Sequence, residues 1–305
     1  MKEIAIISGK GGTGKTSLTA AFATLAARRG NAVLADCDVD AADLRLVLSP
    51  EILERREFVS GRVARVDPER CISSGEDSSC SKCVELCRFD AIRRSGDSGI
   101  EIDGGSCEGC GVCVRFCPAK AIEFVPRRCG EWYVSETRFG PLAHAALDAR
   151  AENSGKLVTA VRKEAKRLAG ETKADWIIVD GSPGTGCPVI ASITGADEAL
   201  IVTEPTMSGH HDLERVAGLA RHFSIPFSVV VNKADINRAM ADETEAWCAR
   251  NGVPFLGKVP YDRAVTRAQI EGKSVIEYCE SGGSCGQNIP SIVGGIWEKI
   301  CQSKR

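Results

Sequence analysis

The chain has 305 residues, room for one large domain or two ordinary ones at roughly 150 residues each. Hydrophobic residues make up 43% and charged residues 26%, the balance of a globular protein, and 39 Lys and Arg against 41 Asp and Glu leave a net charge of −2. That charge excludes a general nucleic-acid binder, which needs a basic excess to displace counterions. No run nears the roughly 18 apolar residues of a membrane helix. The start, Met1–Ser8, lacks the long apolar core and small-residue cleavage site of an export signal, so a cytoplasmic protein is expected.

The first element is a short apolar strand, Ile4-Ala5-Ile6-Ile7, which runs into Gly9-Lys10-Gly11-Gly12-Thr13-Gly14-Lys15-Thr16. The loop fits G-x-x-x-x-G-K-[ST]. An Ala-rich helix is predicted from about Ser17 to Arg29, with Gly30 as its stop. Strand, Gly-rich loop and helix form the context in which backbone N–H groups and a helix N-terminus hold phosphate oxygens. Gly9, Gly11, Gly12, Thr13, Gly14, Lys15, Thr16 and Ser17 are therefore the candidate nucleotide contacts. Lys15 is expected on the β- and γ-phosphates and Thr16 on Mg²⁺. A second strand, Val33-Leu34-Ala35-Asp36, carries Asp36 and leads to Asp38; a third, ending in Asp180, precedes a Gly-rich loop, Gly181–Gly186. Carboxylates at the ends of parallel strands beside such a loop suit a metal–phosphate centre, with Asp180 as a Mg²⁺ holder.

Fifteen Cys stand out, and eight of them fall between Cys71 and Cys117. In a reducing compartment that surplus points to metal or redox chemistry and away from disulfides. Cys107-x2-Cys110-x2-Cys113-x3-Cys117-Pro118 is the run that binds a 4Fe-4S cluster in bacterial ferredoxins, where the fourth Cys serves the other cluster. Cys80, Cys83, Cys87 and the Ala91-Ile92 pair repeat thirty residues later as Cys110, Cys113, Cys117 and Ala121-Ile122, an internal duplication. The predicted sets are Cys71, Cys80, Cys83 and Cys117 for one cluster, and Cys107, Cys110, Cys113 and Cys87 for the other. Zinc favours separate C-x2-C pairs, not triplets with a crossed fourth ligand. The first loop departs from the pattern: it carries six extra residues after Cys71, rich in Ser, Gly and acid, and Arg88 stands where Pro is usual.

Apolar runs recur near 3–7, 32–36, 131–135, 176–180, 199–203, 227–231 and 254–259, with helical patterns between many of them, such as Asn153–Ala169 and Ala239–Asn251. That alternation predicts an α/β fold, a doubly wound, mostly parallel P-loop sheet. Asp67-Pro68 and Pro126-Arg127-Arg128 mark two entry points. The nucleotide domain is then discontinuous, 1–66 plus 128–305, with a smaller α+β ferredoxin-type domain inserted at 67–127.

Lys10 within the Gly-rich loop resembles the deviant Walker A signature of the MinD/Mrp group of P-loop ATPases, which are similar to the nitrogenase iron protein. The resemblance is strongest to MinD-like ATPases with an inserted ferredoxin domain. It extends to Glu131–Gly140, Glu152–Val158 and Thr203–Glu214, segments without a known chemical role. It implies ATP held between two subunits, with Lys10 reaching the partner's phosphates. It implies that Asp38 orients the attacking water and that Asp36 stands behind the Mg²⁺. Asn232, after Val229-Val230-Val231, is implied to bind the adenine, and Pro260 and Asp262 to flank it. A slow, partner-stimulated ATPase is the implied activity, and an unidentified redox or iron–sulfur protein the implied partner. Electron transfer through two clusters and cluster assembly or delivery both remain open.

Other features are weighed on their residues. Cys187 follows the Asp180 loop at an offset where the nitrogenase iron protein carries a cluster ligand; a buried thiol is the plainer reading. Cys279 and Cys285 lack C-x2-C spacing, and a labile transfer site is not expected there. His210-His211 reads as a surface pair. Ile292, Val293, Ile296, Trp297 and Ile300 form a helical stripe near few positive charges (Lys299, Lys304 and Arg305), which favours packing on the core over membrane contact.

Overall fold

The computed structural model describes residues 1–73, 80–95, 99–149, 151, 154–286 and 288–303. Residues 74–79 of the first Cys loop, Glu152 and Asn153 of the resemblance segment, and Lys304 and Arg305 lie outside them. The chain divides into two compact units. One is Met1–Arg56, Glu131–Ala146 and Ser154–Arg305; the other is Glu57–Gly130 and Leu147–Asn153.

The elements begin β1 (Lys2–Ser8), α1 (Lys15–Ala27), β2 (Ala32–Asp36), α2 (Leu44–Leu48) and β3 (Glu51–Val66). There follow α3 (Lys82–Leu86), β4 (Ile92–Arg94), β5 (Ile100–Ile102), α4 (Val112–Phe116), β6 (Ile122–Thr137) and β7 (Gly140–Leu147). Next come α5 (Ser154–Thr172), β8 (Trp176–Pro183), α6 (Cys187–Ile193), β9 (Glu198–Thr203), α7 (Met207–His222) and β10 (Phe227–Asn232). The chain closes with α8 (Arg238–Arg250), β11 (Phe255–Val259), α9 (Arg263–Ile270), α10 (Val275–Glu280) and α11 (Ile289–Gln302).

Among the described residues, nine strands form one sheet in the order β11-β10-β9-β1-β8-β2-β7-β6-β3. From β11 through β7 every pair is parallel, as the alternation of strand and helix predicts. β1 and β2 are buried along their whole length, which explains their unbroken apolar runs: a parallel strand covered on both faces needs no polar side. α1 is likewise buried nearly all round. It ends at an Arg28 cap, earlier than the sequence suggests, and Gly30 serves another purpose. A Cβ on Gly30 would stand 2.2 Å from Asp175 Oδ2.

Two strands, β3 and β7, have no counterpart in the sequence reading of the main sheet, and a third, β6, has one only for its later part. β3 runs for 16 residues and is mostly exposed, so its charged residues show no apolar run to detect. Its Arg55 bonds to Glu131, and Arg56 lies 4.9 Å from the Trp132 ring centre. β6 also spans 16 residues, of which 131–135 is only the later part. β7 follows β6 after the two-residue turn Arg138-Phe139, a connection only antiparallel strands permit. Arg138 then bonds to the carbonyls of Val47, Leu48 and Gly272, tying the hairpin tip to its surroundings.

The core of the first unit centres on Trp297, 2% exposed, stacked on Phe22 and tilted against Trp176 at centroid distances of 5.4 and 5.0 Å. Val293, Ile296 and Ile300 are buried with it, so the apolar stripe of α11 faces protein. Among the described residues no helix is long and apolar enough to cross a membrane. In the second unit, β4 and β5 pair antiparallel, and Ala64, Ala91, Ile92, Ile100, Ile122, Cys107 and Cys113 form a small core. The duplication is visible there. Cys83 lies in α3 and Cys87 caps its end; Cys113 lies in α4 and Cys117 caps its end.

His144 of β7 is buried, its Nε2 2.8 Å from Ser135 Oγ and its ring stacked on Tyr133. Burial, reinforced by the Arg45 charge, lowers its pKa from 6.5 to about 4. The unfolded state therefore takes up the proton first as pH falls. This group's contribution is complete above pH 6.5 and is lost between pH 6.5 and 4, a change of about 3 kcal/mol. Urea unfolding followed by Trp fluorescence is expected to show that loss in the native chain, and a shallower one in His144→Gln.

Candidate functional site

Successive strand ends build the site. The Gly-rich loop leaves β1, and Gly14 takes φ +90°, the left-handed region that suits glycine, before α1 begins at Lys15. A Cβ there would stand 2.2 Å from Asn232 Nδ2. Asp36, the last residue of β2, is the register partner of Asp180, and β8 runs on past Asp180 to Pro183, so the strand does not end at Asp180 as the sequence suggests. Lys15 Nζ lies 3.2 Å from Asp38 Oδ2 and 3.6 Å from Asp180 Oδ1. Thr16 Oγ1 donates to Asp180 Oδ2 at 2.7 Å, and Thr19 Oγ1 donates to Asp180 Oδ1 at 3.1 Å. Asp36 is fully buried; its two oxygens accept from the backbone N–H groups of Asp38 and Leu44, which fixes the turn that carries Asp38.

The electrostatics follow from this crowding. Burial, and then the Asp180 charge, push the Asp36 carboxyl well above the usual carboxylate range. Burial also raises Asp38, against the pull of Lys15. Burial opposes the Lys15 ammonium, but Asp180, Asp38 and Asp36 outweigh it and hold its pKa above the ordinary lysine value. Lys15 is thus a charged group beside several carboxylates.

A cavity of about 570 Å³ opens beside these residues, within the size range of small-molecule sites. Gly11, Gly12, Gly14, Lys15, Thr16, Ser17 and Asp38 line it from one part of the chain, and Asn232, Pro260 and Asp262 from another. Asp36 and Asp180 are buried residues outside that lining, and so is Thr13, whose carbonyl accepts from Asn232 Nδ2 at 2.8 Å. Gly9 does not line it either; its missing Cβ makes room for Asp212. Lys10 points to Glu204 Oε1 at 2.5 Å and Ser208 Oγ at 3.0 Å. Asp262 caps α9, accepting from Ala264 N at 2.8 Å.

Sequence reading missed Lys233, whose Nζ donates to Gly12 O at 2.7 Å and pairs with Glu204 at 3.3 Å. Burial works against the Glu204 carboxylate, but Lys10 and Lys233 together lower its pKa below the usual value. Gln269, donating to Ser17 Oγ at 3.0 Å, was also missed. The only sequence cue was position: Lys233 follows directly on Asn232, and Gln269 lies in the helix after Asp262.

The eight clustered Cys line two small cavities of the second unit. Cys71, Cys80, Cys83 and Cys117 border one; Cys87, Cys107, Cys110 and Cys113 border the other. Among the described residues no three His, Cys, Asp or Glu side chains converge on a point that would hold a single metal ion.

The other singled-out residues lie elsewhere. Cys187 is exposed at the start of α6, not buried. His210 and His211 belong to α7 and are not a surface pair. His211 is exposed, whereas His210 packs edge-on against Trp247 with Nδ1 buried. Cys279 and Cys285 form a disulfide, contrary to the expectation of thiols only, because the turn after α10 returns their Cα atoms to 5.6 Å.

A family model described as the CobQ/CobB/MinD/ParA nucleotide binding domain matches residues 4–275. The chain belongs to that family. Membership makes it a nucleotide-binding protein of the MinD/ParA ATPase type. It is 36% identical over 300 residues to the uncharacterized protein MJ0578 of Methanocaldococcus jannaschii, covering 98% of this chain and 97% of the relative. It is 30% identical over 141 residues to an iron-sulfur cluster carrier protein of Pyrococcus horikoshii, covering 41% of this chain and 46% of the relative. Its fold is similar to that of the septum site-determining protein MinD of Pyrococcus horikoshii, solved with Mg-ADP, at a TM-score of 0.58 and 18% identity, covering 99% of this chain and 96% of the other.

Gly14→Ala places a side chain where φ is +90° and Asn232 stands in the way. The expected cost is about 1–3 kcal/mol of stability, read from the urea midpoint.

Proposed function

We propose that this protein is an ATP-dependent iron–sulfur protein that couples its nucleotide state to electron transfer. One observation carries the reading: the Cys of the duplicated repeat divide between two cavities, four to each, with Cys117 and Cys87 exchanged between the repeats. That exchange is the ligand pattern of a double-cluster ferredoxin. Residues 67–127 are accordingly read as the ferredoxin domain, inserted in an ATPase domain of 1–66 plus 128–305. Cys71, Cys80, Cys83 and Cys117 hold one 4Fe-4S cluster, and Cys107, Cys110, Cys113 and Cys87 the other. When bound, these clusters supply one-electron transfer.

The chain's own residues divide the work on ATP. Lys15 exchanges its carboxylate partners for the phosphates, and the loop N–H groups from Gly11 to Ser17 hold phosphate oxygens. Thr16 and Asp180 hold Mg²⁺, with Asp36 behind them fixing the turn. Once Lys15 has turned to the phosphates, Asp38 orients the attacking water; its raised pKa suits a proton acceptor. Asn232, which also supports the loop through the Thr13 carbonyl, binds the adenine, and Pro260 and Asp262 flank it. Lys10 leaves Glu204 to meet the nucleotide of a second copy in a homodimer. Turnover is slow until a redox partner binds. Cluster delivery is the second reading, favoured by the partial likeness to an iron-sulfur cluster carrier protein.

Anaerobic EPR of dithionite-reduced protein is expected to show cluster signals that change on adding Mg-ATP; an identical spectrum with and without nucleotide defeats the coupling. Cys110→Ser is expected to lower iron from about eight atoms per chain to about four. Net iron transfer to an apo-ferredoxin, with bleaching of the donor, selects delivery instead. Lys15→Ala is expected to weaken ATP binding roughly ten- to hundredfold, the loss of a charge-assisted contact, measured by equilibrium dialysis.

A further inference from the structure

We infer that Cys279 and Cys285 form a redox-active thiol pair that sets the shape of the nucleotide cavity through Gly286 and Asp262. The inference deepens the ATP reading above and rests on it for its affinity readout. The chain from the disulfide to the cavity is short. Cys285 is followed by Gly286, whose N–H donates to Asp262 Oδ2 at 2.8 Å. Asp262 uses its other oxygen to cap α9, and Asp262, Val265, Thr266 and Gln269 all line the cavity.

The other end of the bridge is anchored. Cys279 lies in α10, whose capping box joins Ser274 and Glu277. Ser274 Oγ lies 2.7 Å from Thr24 Oγ in the core, and Glu277 bonds to Arg138 at 2.6 Å. The disulfide therefore ties Gly286 to a fixed helix, and Gly286 in turn holds Asp262. Without the bridge, residues 280–286 keep the Arg28–Glu280 ion pair and the turn bonds of Ser281 and Gly283 to Tyr278, but lose the covalent tie that sets the position of Cys285 and of the Gly286 N–H at Asp262. The pair is reachable: both Cys are only partly buried, and Ser281, Gly282 and Ser284 between them are exposed.

The chemistry is thiol–disulfide exchange with a low-molecular-weight disulfide, the oxidant this step requires. One Cys thiolate attacks the small disulfide, whose S–S bond breaks and releases one thiol. The second Cys thiolate attacks the mixed disulfide and releases the other. The protein loses two electrons and two protons, and the small disulfide becomes two thiols. A small dithiol reverses the sequence.

The test uses the full-length protein, purified anaerobically and poised with oxidised or reduced dithiothreitol. Alkylation and mass spectrometry read the state of Cys279 and Cys285, and a fluorescent ATP analogue reads affinity. The bridged form is expected to bind two- to tenfold more tightly, the worth of one pre-formed hydrogen bond. The double variant Cys279→Ser/Cys285→Ser is expected to match the reduced protein and to ignore the poise. Equal affinity in the two states of the native chain, or a pair that does not re-form its bridge, overturns the inference. Failure of both states to bind the analogue overturns the ATP reading instead. Hydrogen exchange of the Gly286 amide then decides the switch: faster exchange on reduction supports it, and equal protection in both states overturns it.

Discussion

The first unit depends on one ammonium group held among three carboxylates. Lys15 at the start of α1 lies beside Asp38 and Asp180, with Asp36 buried next to them. Neither sign survives burial alone. Without Lys15, Asp36 and Asp180 would face each other as buried acids on adjacent strands with no cation beside them; without the carboxylates, burial would lower the lysine pKa. The arrangement rests on register, since Asp36 pairs with Asp180 only if β2 and β8 align as they do, and β1 must lie beside β8 for its loop to deliver Lys15. Parallel pairing of buried apolar strands is thus what brings these charged groups together, and they are the groups to which the proposed function gives the phosphates and the divalent metal.

Much of this was readable from residues. Runs such as Ile4–Ile7 or Ile177–Val179 are apolar because both their faces are covered, so their period and length identified them. The Gly-rich loop was legible because its chemistry demands particular residues at particular places. β3 was not, because an exposed strand carries charged side chains and obeys no core pattern. β7 was not, because it follows a two-residue turn and lacks the long separation that marks a parallel unit. The Cys spacing named its eight residues, while the Cys279–Cys285 bridge was hidden, since it depends on the path of the turn after α10.

The support of the loop was the least legible part of the site. Asn232 and Lys233 at the end of β10 donate to the carbonyls of Thr13 and Gly12. They occupy two of the loop's carbonyls and leave its N–H groups for the ligand of the proposed function. A sequence motif records which groups meet the phosphate; it does not record what holds them in place, because many donors at many distances along the chain can fill that role.

The outer borders of the large sheet have a consequence for solubility and assembly. An open ladder of backbone donors and acceptors invites foreign strands and fibre growth. Here one border is β3, set with Glu51, Glu54, Arg55, Arg56 and Glu57, and the other is the five-residue β11, where Lys258 pairs with Asp242 and Glu245. Charge discourages strand addition at the first, and brevity at the second. Both borders are thus poor templates for extending the ladder into a second chain.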